Sequence, residues 1–287
     1  MFPAFSSELE HSSARAKEAE LLARLSSLER VIVAFSGGVD SSYLAAAAHR
    51  ALGADALAAT AVSPSLSRRQ QGAAAAIAER IGISHIEVST HEVTREDYAR
   101  NSSDRCYWCK TELFDVLAPI AKDRDAVVVI GTNSDDLHDL RPGRRAARER
   151  NAPSPLAEVG LTKDDVRLLS RRWGLPSADE PSSPCLASRF AYGVRVTEEG
   201  LQRIDRAEEI VRSLGFDEFR VRDHGDLARV EVPASQIDRA ASLHETIAAA
   251  LAELGFAYVT LDLFGFRSGS MNEVLKIRGP NRGPSSS

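Results

Sequence analysis

The sequence has 287 residues, a net charge of −5, 43% hydrophobic residues and 27% charged residues, a composition typical of an ordinary soluble protein of one or two domains. No stretch approaches the roughly 20 apolar residues of a membrane span, and the first residues lack the form of a signal peptide, so we expect no membrane partner and a cytoplasmic location. The acidic balance argues against a nucleic-acid partner, which usually meets a basic surface.

Hydrophobic periodicity predicts alternating helices and strands along the first half of the chain. An amphipathic helix over residues 8–28 leads into a buried strand at 31–35, and an alanine-rich helix follows Ser42. Further strands are predicted at 56–62, 83–88 and 126–130, with helices at 66–81 and 108–122. This pattern predicts an α/β fold with a doubly wound parallel sheet, in which ligands bind beyond the carboxyl ends of the strands.

The turn after the first strand has the composition of a phosphate-binding loop. Its two glycines allow close backbone approach, and its serine hydroxyls stand beside the N-terminus of a helix. It lacks the lysine of a Walker loop and carries an acid, Asp40, which we interpret as catalytic and linked to phosphates through Mg²⁺. The predicted ATP-binding residues here are Ser36, Gly37, Gly38, Asp40, Ser41 and Ser42. An ordinary glycine-bearing turn is the alternative.

The S-G-G-x-D-S pattern of this turn resembles the pyrophosphate loop of the PP-loop ATP pyrophosphatases, whose members cleave ATP between the α and β phosphates. A second segment, residues 131–136, follows the strand at 126–130 and resembles the G-T-N-x-x-D segment of PP-loop enzymes of the NAD synthetase kind. Gly131 and Thr132 are predicted ATP contacts and Asp136 a second Mg²⁺ ligand, and Ala61 in the strand at 56–62 is added to the ATP set. A polar loop with helix-capping residues is the alternative interpretation of 131–136.

Two features follow this second loop. Five arginines form either a solvated basic face or a contact for phosphate or an anionic substrate: Arg141, Arg144, Arg145, Arg148 and Arg150. Residues 155–167 predict a helix start with Thr162 as N-cap and Asp165 in a capping box. They also resemble the P-L-x-x-x-x-L-T-K-x-x-V-R segment that closes the ATP domain of NAD and GMP synthetase-like enzymes, and we expect a mainly structural role.

The second half of the chain predicts a smaller domain. We expect a PP-loop domain over 1–176, a linker over 177–196 that carries Cys185, a small α+β domain over 197–277 for substrate or oligomerisation, and a disordered tail over 278–287. Within the small domain, helices are predicted at 197–214 and 235–254, and strands at 218–222, 228–232 and 257–263.

Three cysteines, Cys106, Cys109 and Cys185, cannot pair without leaving one over. A structural zinc site would need a fourth ligand, and a redox dithiol is expected to open a helix in a redox fold, which the ATP loop argues against. Three thiolates could hold a 4Fe-4S cluster and leave one iron open to substrate or sulfide. The alternative is that the cysteines have no chemical role and are simply two buried thiols and one loop thiol.

Separate stretches of the chain together resemble the LarE-type sulfur transferases, over about residues 15–276. These stretches are S-G-G-V-D-S-S at 36–42, D-R-C-Y-W-C-K at 104–110, P-C-L-A-S-R-F at 184–190, F-R-V-R-D-H-G at 219–225 and G-F-R-S-G-S-M-N-E at 265–273. The resemblance implies an enzyme that uses ATP to convert carboxylates of a pyridinium mononucleotide into thiocarboxylates, in building the nickel-pincer nucleotide cofactor of lactate racemase. A substrate carboxylate would attack the α phosphate of Mg-ATP, pyrophosphate would leave, and sulfur would then replace AMP.

The family has two sulfur sources. In the sacrificial form the residue at the position of Cys185 gives up its own sulfur and becomes dehydroalanine, so Cys185 is a catalytic candidate in either form. In the other form, Cys106, Cys109 and Cys185 would ligate a 4Fe-4S cluster that carries an extra sulfide. Because the sacrificial form lacks the C-x-x-C pair, we favour the cluster form. The implied partners are a small-molecule nucleotide, sulfide or another sulfur donor, and further copies of the chain in a homo-oligomer.

Candidate substrate contacts lie in the second half. Arg220 and Arg222 alternate on a predicted strand, and two guanidinium groups on one face suit a phosphate or a second carboxylate, although two surface arginines on an exposed strand would look the same. Ser188, Arg189 and Glu231 are further candidates, and Glu231 could equally be an edge-strand glutamate. Arg267 and Ser268 match the family stretch and could serve a subunit interface.

Three other functions remain open. A PP-loop tRNA thiolase is the main alternative, but the acidic charge and the absence of added RNA-binding segments argue against it. An amide-forming synthetase that receives ammonia would leave the cysteines without a task. A non-enzymatic nucleotide-binding module would be excluded by release of pyrophosphate from ATP.

Overall fold

A four-stranded sheet, all of whose strands are parallel, organises the first half of the chain. Its strands are β1 (Val31–Ala34), β2 (Ala56–Val62), β3 (Ser84–Ser89) and β4 (Val127–Ile130), in the spatial order β3-β2-β1-β4. We describe a computed structural model of the chain, which covers residues 4–138, 142–181, 183–267 and 269–270, with side chains described from residue 12 and not at His138. Contacts divide these residues into two units: the first runs to Tyr98 and resumes over Asp104–Pro184, and the second comprises Ala99–Ser103 and the chain from Cys185 onward.

Helices cover both faces of this sheet. The helices of the first half are α1 (Ala4–Ser26), α2 (Val39–Leu52), α3 (Arg68–Ile81), α4 (Glu96–Ala99), α5 (Arg105–Arg124), α6 (Pro142–Glu149), α7 (Pro155–Glu158) and α8 (Lys163–Arg172). Val31 and Val33 of β1 pack in one core with α1, α2, α3 and α8, while Ile32 and Ala34 pack in a second core with α5 and α6. Since a strand turns alternate side chains to opposite faces, each face of β1 meets its own layer. The predicted α/β fold with a doubly wound parallel sheet is confirmed.

A smaller sheet belongs to the second unit. It consists of β5 (Arg220–Asp223), β6 (Leu227–Glu231) and β7 (Tyr258–Leu261), with β6 in the centre, antiparallel to β5 and parallel to β7. The helices of this unit are α9 (Glu198–Ser213), α10 (Ile237–Ser242) and α11 (His244–Ala252). The division into a PP-loop domain, a linker and a small domain stays a prediction, and the predicted tail over 278–287 lies outside the described residues.

Several element boundaries differ from the sequence-based prediction, among them that of α1, which begins at Ala4 rather than 8. Helix α5 begins at Arg105 rather than 108; Asp104 stands at its N-cap position without a side-chain cap, and its carboxylate accepts from Trp108 Nε1 at 3.1 Å. The single helix predicted over 235–254 is broken at Leu243, where Ser242 Oγ donates to a backbone carbonyl at 2.7 Å and His244 Nδ1 lies 3.0 Å from another. Such local bonds compete with the helical ladder. Within the described part of the chain, no helix combines the length and apolar character needed to cross a membrane.

Candidate functional site

The strand register brings the predicted ATP-binding segments to one edge of the large sheet. Ala34, the last residue of β1, pairs with Ala59 of β2 and with Ile130 of β4. Because the strands are parallel, the chain leaves β1 and β4 at the same edge, and the half-buried Ala61 lies on β2 two residues beyond this register. This is the edge at which ligands bind in doubly wound sheets.

The first loop depends on glycine and on one serine hydroxyl. Gly37 has a φ of +73°, and a Cβ added there would lie 2.9 Å from Cα of Ala74, so only glycine fits. Ser41 Oγ donates to the Gly38 carbonyl at 3.1 Å and accepts the N–H of Ser36 at 3.2 Å. Ser36 and Gly38 are exposed, and no side chain caps the N-terminus of α2. The loop therefore presents a hydroxyl and the positive end of a helix to solvent, which suits a phosphate.

Not every serine of this loop is accessible. Ser42 is wholly buried, and its Oγ makes no hydrogen bond within the described residues, although it is predicted to contact ATP. Thr132, in the second loop, is half-buried. The roles of these two residues stay predictions.

The second loop touches the first through Gly131 and Asn133. A Cβ added at Gly131 would lie 3.0 Å from the backbone nitrogen of Ser41, so the two backbones meet at van der Waals distance. Asn133 is buried, and its Oδ1 accepts from the backbone N–H groups of Asp135 and Asp136 at 3.0 and 3.2 Å. Its Nδ2 donates to Asp40 Oδ1 at 3.2 Å. Asn133 thus holds the second loop against the start of α2, a role that sequence reasoning missed although the residue lies within the quoted G-T-N segment.

Asp40 lies in the first turn of α2 rather than inside the loop, and it has a cationic partner. Lys163 Nζ is 2.5 Å from Asp40 Oδ2, and the backbone N–H of Lys163 donates to Asp135 Oδ2 at 2.8 Å. Lys163 opens α8, where the predicted capping box between Thr162 and Asp165 is confirmed. The lysine that the first loop lacks in sequence is therefore supplied from the L-T-K segment, 123 residues later, for which we expected a mainly structural role.

The carboxylates at this edge suit a magnesium ion. Asp40 and Asp136 both contact Asn133, since Asp136 Oδ2 accepts the Asn133 N–H at 3.3 Å. Mg²⁺ is commonly held by one or two carboxylates together with substrate phosphates, and this pair supplies that donor set. Within the described residues no three His, Cys, Asp or Glu side chains are grouped so as to hold a metal ion. The role of the two aspartates as Mg²⁺ ligands stays a prediction.

The C-x-x-C pair occupies the first turn of α5. Cys106 is exposed and Cys109 half-buried, and none of the three cysteines forms a disulfide. Residues three apart on a helix share a face, and the positive end of a helix favours the thiolate that binds metals. Two thiols so placed suit an iron–sulfur cluster, and the pair also opens a helix, as a redox dithiol would. Cys185, in the second unit, is half-buried and precedes a 3₁₀ turn over Leu186–Arg189.

Helix α6 connects the second ATP loop with the cysteine pair within the first unit. Arg144 Nη1 donates to the carbonyls of Asp136 and Leu137 at 2.8 and 2.9 Å. The guanidinium of Arg145 lies 4.0 Å from the ring centroid of Tyr107, the residue after Cys106. The predicted arginine face is therefore divided, with Arg148 exposed, Arg150 paired with Asp115, and Arg141 outside the described residues.

Two buried ion pairs hold the arginines and acids that were predicted to contact substrate. Arg189 makes a two-pronged pair with Glu208, at 2.9 and 3.0 Å, and its Nη1 donates to Ser188 Oγ at 3.0 Å. Arg222 donates twice to Glu231 Oε2, at 3.0 and 2.8 Å. Glu231 is wholly buried on the central strand β6, so the edge-strand alternative is wrong. These two pairs are buried within the second unit, and contact of Arg189, Arg222 and Glu231 with substrate stays a prediction.

Arg220, the third arginine predicted to contact substrate, donates to the carbonyl of Phe219 at 2.6 Å. It is half-buried beside the Phe266 ring, and burial, followed by the charge of Arg189, lowers its pKa to about 10. A cation whose charged form is disfavoured by burial and by neighbouring cations gains from a bound anion. Arg267 lies over the Phe264 ring, and Ser268 lies outside the described residues.

Comparison with known proteins identifies the family. Residues 19–122 match the family model described as asparagine synthase. The chain is 48% identical over 252 residues to an uncharacterized protein of Synechocystis, covering 86% of this chain and 94% of that protein. It is 37% identical over 262 residues to the pyridinium-3,5-bisthiocarboxylic acid mononucleotide synthase of Lactiplantibacillus plantarum, a LarE protein, covering 90% and 95%. The chain belongs to the LarE family.

Membership of the LarE family confirms the resemblance seen in the sequence, while the three-cysteine, cluster-bearing subtype stays a prediction. A more distant relative is one component of the glutamine-hydrolyzing GMP synthase of Methanocaldococcus jannaschii, 30% identical over 203 residues, or 63% of each chain. The LarE protein is thus matched over nearly its whole length and the GMP synthase component over less. That difference separates the LarE interpretation from the synthetase alternative.

Proposed function

We propose that this chain is an ATP-dependent sulfur transferase that converts a carboxylate of a pyridinium mononucleotide into a thiocarboxylate, in the synthesis of a nickel-pincer nucleotide. The observation that carries the proposal is the joining of an ATP-type edge to a helix-borne cysteine pair within one unit, in a chain of the LarE family. The name of the Lactiplantibacillus relative supplies the substrate class.

The first half of the reaction would occur at the sheet edge. The exposed loop around Ser36 and Gly38 would bind the phosphates, and Asp40 and Asp136 would hold Mg²⁺ against them. A substrate carboxylate oxygen would form a bond to the α phosphorus as the bond to pyrophosphate breaks, giving an acyl adenylate. The acyl carbon then has AMP as its leaving group, where the free carboxylate had only oxide.

The second half would replace AMP by sulfur. A hydrosulfide attacks the acyl carbon, AMP leaves with the bonding pair, and one proton is released, so the product is a thiocarboxylate. Cys106, Cys109 and Cys185 would hold a 4Fe-4S cluster, and such a cluster supplies a binding site for the transferable sulfide. Sulfide or another sulfur donor, a homo-oligomeric state and a cytoplasmic location are parts of the same proposal.

Substrate binding is assigned to the second unit. Arg220 carries a guanidinium whose pKa is lowered to about 10, chiefly by burial, so an anionic phosphate or carboxylate beside it would offset the burial of its charge. Ser188, next to the Arg189–Glu208 pair, offers a hydroxyl in the same unit.

The test is a single reconstitution. Anaerobically reconstituted protein receives ATP, Mg²⁺ and the pyridinium substrate, and mass spectrometry follows both product and protein. We expect several thiocarboxylates per chain, with one AMP and one pyrophosphate for each, and no change in the mass of the protein. A chain that has lost the elements of H₂S at Cys185 would instead establish the sacrificial form. Pyrophosphate release without a thiocarboxylate, together with salt-dependent retention of tRNA, would favour the thiolase.

Matched variants separate the two halves of the reaction, adenylation and sulfur transfer. Cys109→Ser should abolish the thiocarboxylate and leave substrate-dependent exchange of pyrophosphate into ATP intact. Asp40→Asn should abolish the exchange as well. If Cys109→Ser still makes thiocarboxylate at the wild-type rate, the cysteine pair has no part in sulfur transfer.

A further inference from the structure

Lys163 forms an ion pair with Asp40, the carboxylate to which the proposed function assigns Mg²⁺. Its Nζ lies 2.5 Å from Asp40 Oδ2, and Asn133 Nδ2 donates to Oδ1 of the same carboxylate at 3.2 Å. Both oxygens of Asp40 therefore have a donor in this structure. A divalent ion bound to Oδ2 would face the ammonium group at ion-pair distance, and two such cations repel one another strongly in a partly desolvated site.

The backbone of Lys163 is fixed, whereas its side chain can move. The backbone N–H is held by Asp135 Oδ2 at 2.8 Å, and α8 is tied to α1 by the ion pairs Lys17–Asp165 and Arg172–Glu18 at 2.8 and 2.7 Å. The lysine side chain is 32% exposed and ends a flexible four-carbon stem. An ammonium displaced from Asp40 can therefore swing to another anion without any movement of the helix.

We propose that Lys163 and the metal ion exchange at Asp40. When Mg-ATP binds, Mg²⁺ takes Oδ2 and the ammonium of Lys163 moves to a phosphate oxygen of the nucleotide on the adjacent loop. Without a phosphate to receive it, Lys163 keeps the carboxylate and excludes the metal. Metal and nucleotide then bind as a coupled pair. The inference rests on the proposed function only in taking residues 36–42 as the ATP loop.

The test measures metal binding without turnover. Mn²⁺ is titrated into the full-length protein by electron paramagnetic resonance, first without nucleotide and then with ATP. Lys163→Met should bind Mn²⁺ alone roughly tenfold more tightly than the wild type, within the range usual for coupled sites, and ATP should enhance its Mn²⁺ affinity less. The gain should vanish in the double variant Lys163→Met/Asp40→Asn, and Lys163→Arg should behave as the wild type.

Arg171→Met is the matched control. It removes a cation of α8 that pairs with the exposed Asp179 and not with Asp40, and it should leave Mn²⁺ binding unchanged. Circular dichroism checks that each variant is folded, and Lys163→Gln replaces the methionine variant if that one is not.

Unchanged Mn²⁺ affinity on removal of Lys163 would overturn the exchange, and so would an undiminished enhancement by ATP. These outcomes are separate from the failure of the proposed function. A wild-type protein that binds Mg-ATP but makes no thiocarboxylate refutes the sulfur transferase and leaves the exchange to be judged by the Mn²⁺ titrations alone.

Discussion

Glu231→Gln tests whether the buried charges of the small sheet are structural. Glu231 is wholly buried and accepts from Arg222, whose side chain is 7% exposed, and from Arg229, whose side chain is 28% exposed. Removing one member of a buried ion pair destabilises a protein by roughly 3–5 kcal/mol, because the other charge stays buried without compensation. The amide oxygen of glutamine can still accept one guanidinium N–H, so we expect the lower end of that range, about 3 kcal/mol.

Urea unfolding is monitored by hydrogen exchange of peptides over residues 219–232, so the loss of stability is measured in the small sheet itself. With an m-value of roughly 1–3 kcal/mol/M, a loss of 3 kcal/mol lowers the urea midpoint by about 1–3 M. Glu209→Gln, at an exposed position on α9, is the control and should change the free energy of unfolding by less than about 0.5 kcal/mol.

Equal midpoints for the two variants would refute the structural reasoning. If Glu231→Gln kept wild-type stability and raised KM for the pyridinium substrate, Glu231 would be a substrate contact, as the sequence suggested. A destabilised variant that still supports substrate-dependent pyrophosphate exchange would assign Glu231 to the fold.

Further predictions concern the ATP edge and one histidine. Gly37→Ala imposes a left-handed backbone on alanine and should weaken ATP binding roughly tenfold by calorimetry, whereas Gly72→Ala, with open space around it, should not. Gly131→Ala places a methyl group 3.0 Å from a backbone nitrogen of α2, so the backbone must shift, and the variant should both weaken ATP binding by calorimetry and lower the melting temperature. Burial lowers the pKa of His85, so the unfolded chain binds more protons below pH about 6.5 and stability falls as the solution is acidified. His85→Gln should therefore lose less stability than the wild type between pH 7 and 5.5, and parallel losses in urea titrations would contradict this.

The strands of the large sheet could be predicted within one residue, whereas the break in the later helix could not. Strands β1, β2 and β4 are nearly continuous apolar runs, and such runs leave little choice of boundary, whereas β3 is indicated by its alternation of apolar and polar residues. The break at Leu243 depends instead on Ser242 and His244, whose side chains reach nearby backbone carbonyls. Whether such side chains point outward or back to the helix is decided by the fold.

Contacts between distant segments account for the site residues that the sequence did not reveal. The pairing of Lys163 with Asp40 joins positions 123 residues apart, and no periodicity reports it. The position of Glu231 on a central strand follows from the order β5-β6-β7, which depends on pairing with a strand that comes later in the chain. By contrast, the need for glycine at positions 37 and 131 could be predicted, because close backbone approach restricts the residue type locally, and their contact with ATP stays a prediction.

The position of α6 gives its arginines a structural role that their charge alone would not suggest. A basic helix on an acidic protein is an expected binding site for an anionic partner. In this structure, however, Arg144 donates to backbone carbonyls that follow the second predicted ATP loop, and Arg145 stacks on Tyr107. A Cβ added at Gly143 would lie 3.3 Å from the Cys106 carbonyl, so α6 packs directly on the turn that carries the cysteine pair. One short helix thus contacts both the loop predicted to hold ATP and the backbone of the helix that carries the cysteine pair. In the proposed reaction the acyl adenylate is open to hydrolysis until sulfur attacks it, so the transfer gains from a direct structural connection between the two segments.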